Sequence, residues 1–358
     1  MLVKPLCFLV LVVILTAGLW PFHASKNEVS WSSNGHGLSF GEYGSVVSAT
    51  PLKVIPFAGN SSCTLELWLK PAEGDSWGTI LAFYWPESRH IPFSLRQSIG
   101  DLVLQVTNHE QTGNSKRAKI YVDDVFSHPK PIFLTISSGI SGTAVYADGS
   151  LVKFSNFRVS NQDLTGQLVI GNAPATTDSW AGELKGLAVY DHQLNPAEVS
   201  AHYESWINGK QTDPAETDAA VALYSFNEGG GNIIRNQVDT GTNLIIPERF
   251  FVLHQQFLEP FWKEFHPDWS YWENIAVNIA GFVPLGFCFY AYLRQFPRIG
   301  HPAAITIAFG FAVSLTIEVL QAFLPTRNSG TTDLMTNTLG AAFGVMVYSS
   351  RSFQRLLA

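Results

Sequence analysis

Charge is scarce in this chain. Only 14% of its 358 residues are Asp, Glu, Lys or Arg, and three stretches are almost bare of it. Residues 275–293 and 334–350 carry none, and 302–324 carry only Glu318. A soluble helix needs a polar face, so these runs argue against ordinary surface helices. Cysteine is equally sparse. Cys7 and Cys288 lie in apolar runs and Cys63 stands alone between them, so the intervening segment has no disulfide within one copy and must stand on its hydrophobic core. No basic cluster or nucleic-acid motif is present, which sets nucleic acid aside as a partner. Gly229-Gly-Gly231 is not followed by Lys-Ser/Thr, so it reads as a turn and not a phosphate loop. No metal-ligand spacing is found, and no catalytic residue is assigned.

The apolar runs are what remains. A bilayer core of ~30 Å needs roughly 20 apolar residues in a helix. Residues 273–293 and 302–324 meet that length, and 333–350 is a shorter candidate. Residues 1–23 hold a further apolar run after Lys4, read as a retained anchor in preference to a cleaved signal. About four spans result. Lys4, Arg294, Arg298, Arg351 and Arg355 flank them on one side with no acid among them. The positive-inside rule then places both termini in the cytoplasm and the large intervening segment outside.

Polar residues within the runs share a depth under this topology. Asn278, Glu318, Gln321 and Asn337 fall one to two turns below the outer ends of their spans, and Arg327 and Asp333 lie just above. An ionisable residue in a span is costly and faces a partner or a cavity. Two readings stay open: polar contacts that hold helices together, or an outward-facing polar site.

Residues 27–209 change character. Short runs alternate apolar and polar residues, as in Thr64-Leu-Glu-Leu-Trp-Leu-Lys70, and similar runs recur near 101–107, 132–136, 143–147, 151–154, 167–171 and 186–190. This spacing predicts an all-β sandwich. Asp148-Gly149 predicts a tight hairpin. Asn195-Pro-Ala-Glu198 predicts a capped helix running to Trp206. Residues 210–246 read as a polar linker with a possible returning strand at Leu223-Tyr-Ser-Phe226. Residues 247–272 are rich in aromatics (Phe250, Phe251, Phe257, Phe261, Trp262, Phe265, Trp269 and Trp272) and suit an interfacial segment on the outer leaflet. A helix packed on the bundle is the alternative.

Thr64-Leu-Glu-Leu-Trp-Leu-Lys-Pro71, Val145-Tyr-Ala-Asp-Gly149 and Gly182-Glu-Leu-Lys-Gly-Leu-Ala-Val-Tyr190 resemble the laminin-G-like, concanavalin-A-like jelly-roll domains. The resemblance implies two antiparallel sheets and glycan binding, often with Ca²⁺. Trp77, Tyr84, Trp85 and Trp180 could stack on sugar rings, or could equally be packing. Asp75, Asp123, Asp124 and Asp178 could bind Ca²⁺, although no ligand loop can be read. Some relatives in fold are glycosidases that use paired carboxylates. No E-x-D-x-E run appears here, and Glu66 stands alone in its strand.

Asn278-Ile-Ala-Gly-Phe-Val-Pro284-Leu-Gly286, Ser314-Leu-Thr-Ile-Glu318-Val-Leu-Gln321-Ala-Phe-Leu-Pro325-Thr-Arg327 and Asp333-Leu-Met-Thr-Asn337-Thr-Leu-Gly340 resemble the VanZ-like family, named after a bacterial teicoplanin-resistance protein. Asn278, Glu318, Gln321, Arg327, Asp333 and Asn337 match its recurrent polar positions. The chain departs from short members by inserting the sandwich between its first and second spans. The resemblance implies a multi-pass protein of the bacterial cytoplasmic membrane, linked to glycopeptide tolerance. The sandwich would then face cell-wall or surface polysaccharide, with the lipid bilayer as the other partner. Two alternatives are a membrane enzyme on a lipid-linked envelope precursor, with Glu318 as acid/base and Arg327 on a phosphate, and an anchored adhesive or structural protein. Oligomeric state is not readable.

Overall fold

The structure is a computed structural model that describes residues 3–22, 25–33, 35–55, 61–73, 76–109, 115–208, 220–238, 241–255, 257–265, 267, 269–327 and 329–350. The chain divides into two compact units. One comprises residues 25–254; the other comprises 1–24 with 255–358.

The first unit is a sandwich of two antiparallel sheets. One sheet runs β1 (Val29–Trp31), β2 (Leu38–Phe40), β13 (Gly182–Tyr190), β4 (Cys63–Pro71), β9 (Ile132–Gly139), β10 (Gly142–Ala147) and β11 (Ser150–Ser155), with β14 (Ala220–Tyr224) also on β13. The other runs β15 (Ile233–Ile234), β16 (Leu244–Ile245), β3 (Val46–Ser48), β12 (Gln167–Ile170), β5 (Trp77–Trp85), β6 (His90–Ser98), β7 (Asp101–His109) and β8 (Ser115–Val122). Alternation decides which face is inward. Leu65, Leu67 and Leu69 of β4 are buried together with Phe83, Phe93, Leu184 and Leu187. Each such side chain contributes ~1.5–3 kcal/mol of burial. The β10–β11 hairpin turns at Asp148-Gly149, both with positive φ, which a two-residue turn between twisted strands requires.

The opposite face of β4 is also buried, because a helix covers it. α2 (Pro196–Ile207) has Asn195 as its cap and a complete capping box with Glu198. Its His202 Nδ1 lies 3.1 Å from Glu66 Oε1, and the Tyr190 hydroxyl donates to Glu66 Oε2 at 3.2 Å. Glu66 is fully buried. It belongs to this internal network and is not displayed to a substrate.

The sandwich does not stop at residue 209. β14 pairs with β13, and β15 and β16 extend the second sheet from β3. Phe226 and Phe250 are fully buried. Residues 220–245 thus contribute three strands to the sandwich. Phe250 leaves the expected interfacial segment, since its ring packs edge-on to Tyr43 and its backbone N–H donates to the Ser25 carbonyl.

The second unit is helical: α1 (Val3–Leu19), a single turn α3 (Phe261–Glu264), α4 (Trp269–Leu293), α5 (Pro302–Gln321) and α6 (Thr331–Ser349). Of these, α4 and α5 are long and apolar enough to cross a membrane. α5 ends three residues before the expected 324, because the approach to Pro325 disfavours helical backbone. α4 starts at Trp269, earlier than the expected 273. Ile14, Phe282, Leu285, Val313 and Ile317 form the core of the unit. Glycines let α4 and α6 touch. A Cβ on Gly286 would lie 2.0 Å from the Ala341 carbonyl oxygen, and one on Gly344 would lie 2.2 Å from that of Val283. These are small-residue contacts of the kind that bring apolar helices together. Outward from this core, Phe8, Leu9, Val13, Val277, Leu339 and Met346 are exposed.

Candidate functional site

Within the helical unit, α1 and α5 end where α4 and α6 begin. Their ends enclose a cavity of about 410 Å³. All six polar residues singled out in the sequence line it: Asn278, Glu318, Gln321, Arg327, Asp333 and Asn337. Helical spacing places them. Glu318 and Gln321 lie three apart near the end of α5, on one face. Asp333 and Asn337 are four apart at the start of α6, and Asn278 follows the first turns of α4.

The side chains are tied to backbone and to one another. Asn278 Nδ2 donates to Asp333 Oδ1 at 2.7 Å. Gln321 Nε2 donates to the Gly18 carbonyl at 2.8 Å, which joins α5 to α1. Asn337 Nδ2 donates to Ser314 Oγ at 3.0 Å. Glu318 Oε2 accepts from the Gly330 backbone N–H at 2.9 Å, so its carboxyl holds the loop before α6. Arg327 directs its Nε and Nη2 to the Trp20 carbonyl. Glu318, Gln321 and Asn337 are buried, yet Gln321 Oε1 and Asn337 Oδ1 take no hydrogen bond. A buried acceptor left unmade costs ~1–3 kcal/mol. The lining is thus only partly satisfied from within, and its charge is two carboxyls against one guanidinium.

Some contributors were not legible in the sequence. Asn274 lines the cavity, and Gly18 and Trp20 supply carbonyls. Glu264 of α3 accepts from Thr332 N at 2.9 Å and from its hydroxyl, placing a carboxylate at the start of α6, where the helix dipole favours it. Nothing in the aromatic segment around Glu264 signals a cap nearly seventy residues away.

The sandwich candidates divide. Trp77 is 71% exposed. Trp85 is half-buried; its Nε1 donates to the Thr165 carbonyl at 2.7 Å and its ring packs on His90. Trp180 and Tyr84 are buried, at 0% and 2% exposure. Trp180 Nε1 donates to Gln97 Oε1 at 2.7 Å. These two are therefore corrected from sugar platforms to packing residues: a ring already covered on both faces cannot stack on a sugar. Asp178 is also committed, to Arg96 Nη2 at 2.9 Å and to the Thr79 hydroxyl. Asp75 lies outside the described residues. Among those described, no group of three or more His, Cys, Asp or Glu side chains is placed to hold a metal ion.

Comparison with known proteins finds two families along the chain. The VanZ/LLP1 family model matches residues 219–354, starting within the last strands of the sandwich. The model of the Concanavalin A-like lectin/glucanases superfamily matches residues 40–200. No curated protein matches the chain. Among solved structures, the receptor binding domain of botulinum neurotoxin C/D mosaic serotype is similar, with 15% identity, TM-score 0.37 and coverage of 52% of this chain and 47% of that one. The ligand binding domain of botulinum neurotoxin serotype D, in complex with N-acetylneuraminic acid, has 14% identity, TM-score 0.35 and coverage of 51% and 45%. The native heptameric SAP-like pentraxin of Limulus polyphemus has 18% identity, TM-score 0.36 and coverage of 57% and 90%. This chain spans about half the length of the botulinum chains it matches. It joins a concanavalin-A-like domain to a VanZ-like region.

Proposed function

We propose that this chain is a multi-pass protein of the bacterial cytoplasmic membrane, that its helical cavity is a binding site opening at the outer leaflet, and that its sandwich recognises a glycan of the cell envelope. One observation carries the reading: six polar side chains from three helices and the α5–α6 loop converge on one cavity at a common end of the helices. In this reading α1 and α6 cross the membrane beside α4 and α5. Lys4, Arg294 and Arg298 lie at the opposite end of those helices and mark the cytoplasmic side. Chain order then supports an outer sandwich, because residues 25–254 leave from the end of α1 and return ahead of α4. Phe257, Phe261, Trp262, Phe265, Trp269 and Trp272 are all exposed and suit the headgroup boundary. Trp77 is the side chain best placed to stack on a sugar.

The VanZ-like region adds a role in glycopeptide tolerance to this reading. Deleting the gene should lower tolerance to teicoplanin, and the purified protein should be retained on cell-wall polysaccharide unless Trp77→Ala is introduced. Unchanged tolerance, together with no retention on any envelope polymer, would refute the role. A membrane enzyme on a lipid-linked precursor is the second reading, favoured by the buried Glu318 carboxyl in the cavity wall. It requires Glu318→Gln to abolish the phenotype at undiminished protein level.

A further inference from the structure

The cavity's hydrogen-bonding balance specifies what kind of group would fill it. Three of its amide groups each donate inside the protein, to Asp333, Gly18 and Ser314. Two N–H groups of Arg327 go to the Trp20 carbonyl. The buried atoms of the lining left without a partner are both acceptors. Gln321 Oε1 is buried and unpaired, and its orientation is fixed, because the amide nitrogen must face the Gly18 carbonyl. Asn337 Oδ1 is likewise unpaired. Glu318 and Asp333 add carboxyl oxygens. Two carboxyls thus stand in the lining with one guanidinium. A phosphate would add acceptors and negative charge where both are already in excess.

From this we infer that the cavity takes a primary ammonium group, whose N–H donors answer the Gln321 and Asn337 oxygens and whose charge answers the carboxyls. The inference rests on the cavity being a binding site, as proposed above. The ammonium could belong to a lipid headgroup or to a free amine, and the geometry of the site is the same for both.

The test uses the purified full chain. In detergent, calorimetry compares ethanolamine, choline and inorganic phosphate. In nanodiscs, phosphatidylethanolamine is compared with phosphatidylcholine and phosphatidylglycerol. Choline carries the charge without N–H donors, so the ethanolamine form should bind about tenfold tighter, the worth of a hydrogen bond to a charged group. Binding only as phosphatidylethanolamine identifies a lipid source; binding of free ethanolamine as well identifies a soluble amine. Gln321→Leu should weaken either. Because that change also removes the tie to Gly18, Arg327→Gln supplies an opposite sign: amine binding should tighten when the competing cation is removed. Preference for phosphate or phosphatidylglycerol, with loss on Arg327→Gln, would overturn the inference while leaving the cavity a binding site. Equal affinity for the ethanolamine and choline forms would overturn it too. Absence of binding to every probe would overturn the underlying reading as well.

Discussion

Gly286→Ala and Gly281→Ala are the same substitution on the same helix, yet their expected effects have opposite sign. A Cβ at Gly286 would meet the Ala341 carbonyl oxygen at 2.0 Å, where ordinary contact begins near 3.4 Å. The obstacle is backbone on α6, so α4 and α6 must part by more than 1 Å there. Overpacking of this kind costs ~1–3 kcal/mol. Replacing glycine inside a helix returns ~0.8–1 kcal/mol. The net for Gly286→Ala is a loss of up to ~2 kcal/mol, or a Tm lower by several degrees. At Gly281 a Cβ meets nothing within 4 Å, so only the helix term acts and stability should hold or rise. The assay is the soluble fraction of full-length protein in detergent after heating. Equal midpoints for the two variants, or a lower one for Gly281→Ala, would refute the close α4–α6 seam.

The segment 25–254 carries its own core and should fold when expressed alone, as a cooperative transition in urea. Within it, His202→Ala leaves Glu66 buried with only the Tyr190 hydroxyl and should cost ~3–5 kcal/mol. An urea midpoint within error of wild type would remove the network from the fold's support. Burial raises the Asp163 carboxyl above its ordinary range, against hydrogen bonds from the Ser160 N–H and hydroxyl. A raised folded value means that its stabilising contribution is present below the unfolded pKa and is lost as pH rises through the folded one. Asp163→Asn should therefore gain on wild type as pH climbs above ~4, and a pH-independent difference between the two would contradict this.

Much of the architecture is readable where one physical signal acts alone. Thr64 to Lys70 alternates and becomes β4; Asn195 caps α2; the charge-poor apolar runs become α4, α5 and α6. β5 lacked that signal because it is buried on both faces, so Gly78-Thr-Ile-Leu-Ala-Phe-Tyr84 shows no period. Trp77 and Trp180 mark the limit more sharply. Each follows a serine and precedes a small residue, yet one is 71% exposed and the other is fully buried. The difference comes from strands and loops far along the chain, which no local pattern encodes. Asn278, Glu318, Gln321 and Asn337 were legible because polarity is rare in apolar helices, and Arg327 and Asp333 because they lie beside the ends of those helices. Glu264 was not, because in its charged and aromatic neighbourhood a carboxylate stands out from nothing.

The most direct measurement is thiol labelling of intact cells with a membrane-impermeant reagent. The native cysteines Cys7, Cys63 and Cys288 are all buried, so Asn278→Cys would report on the cavity and a cysteine placed at Trp77 on the sandwich. The account predicts that both label from outside without permeabilisation. Labelling only after the membrane is opened would put the sandwich and the mouth of the cavity in the cytoplasm and contradict it.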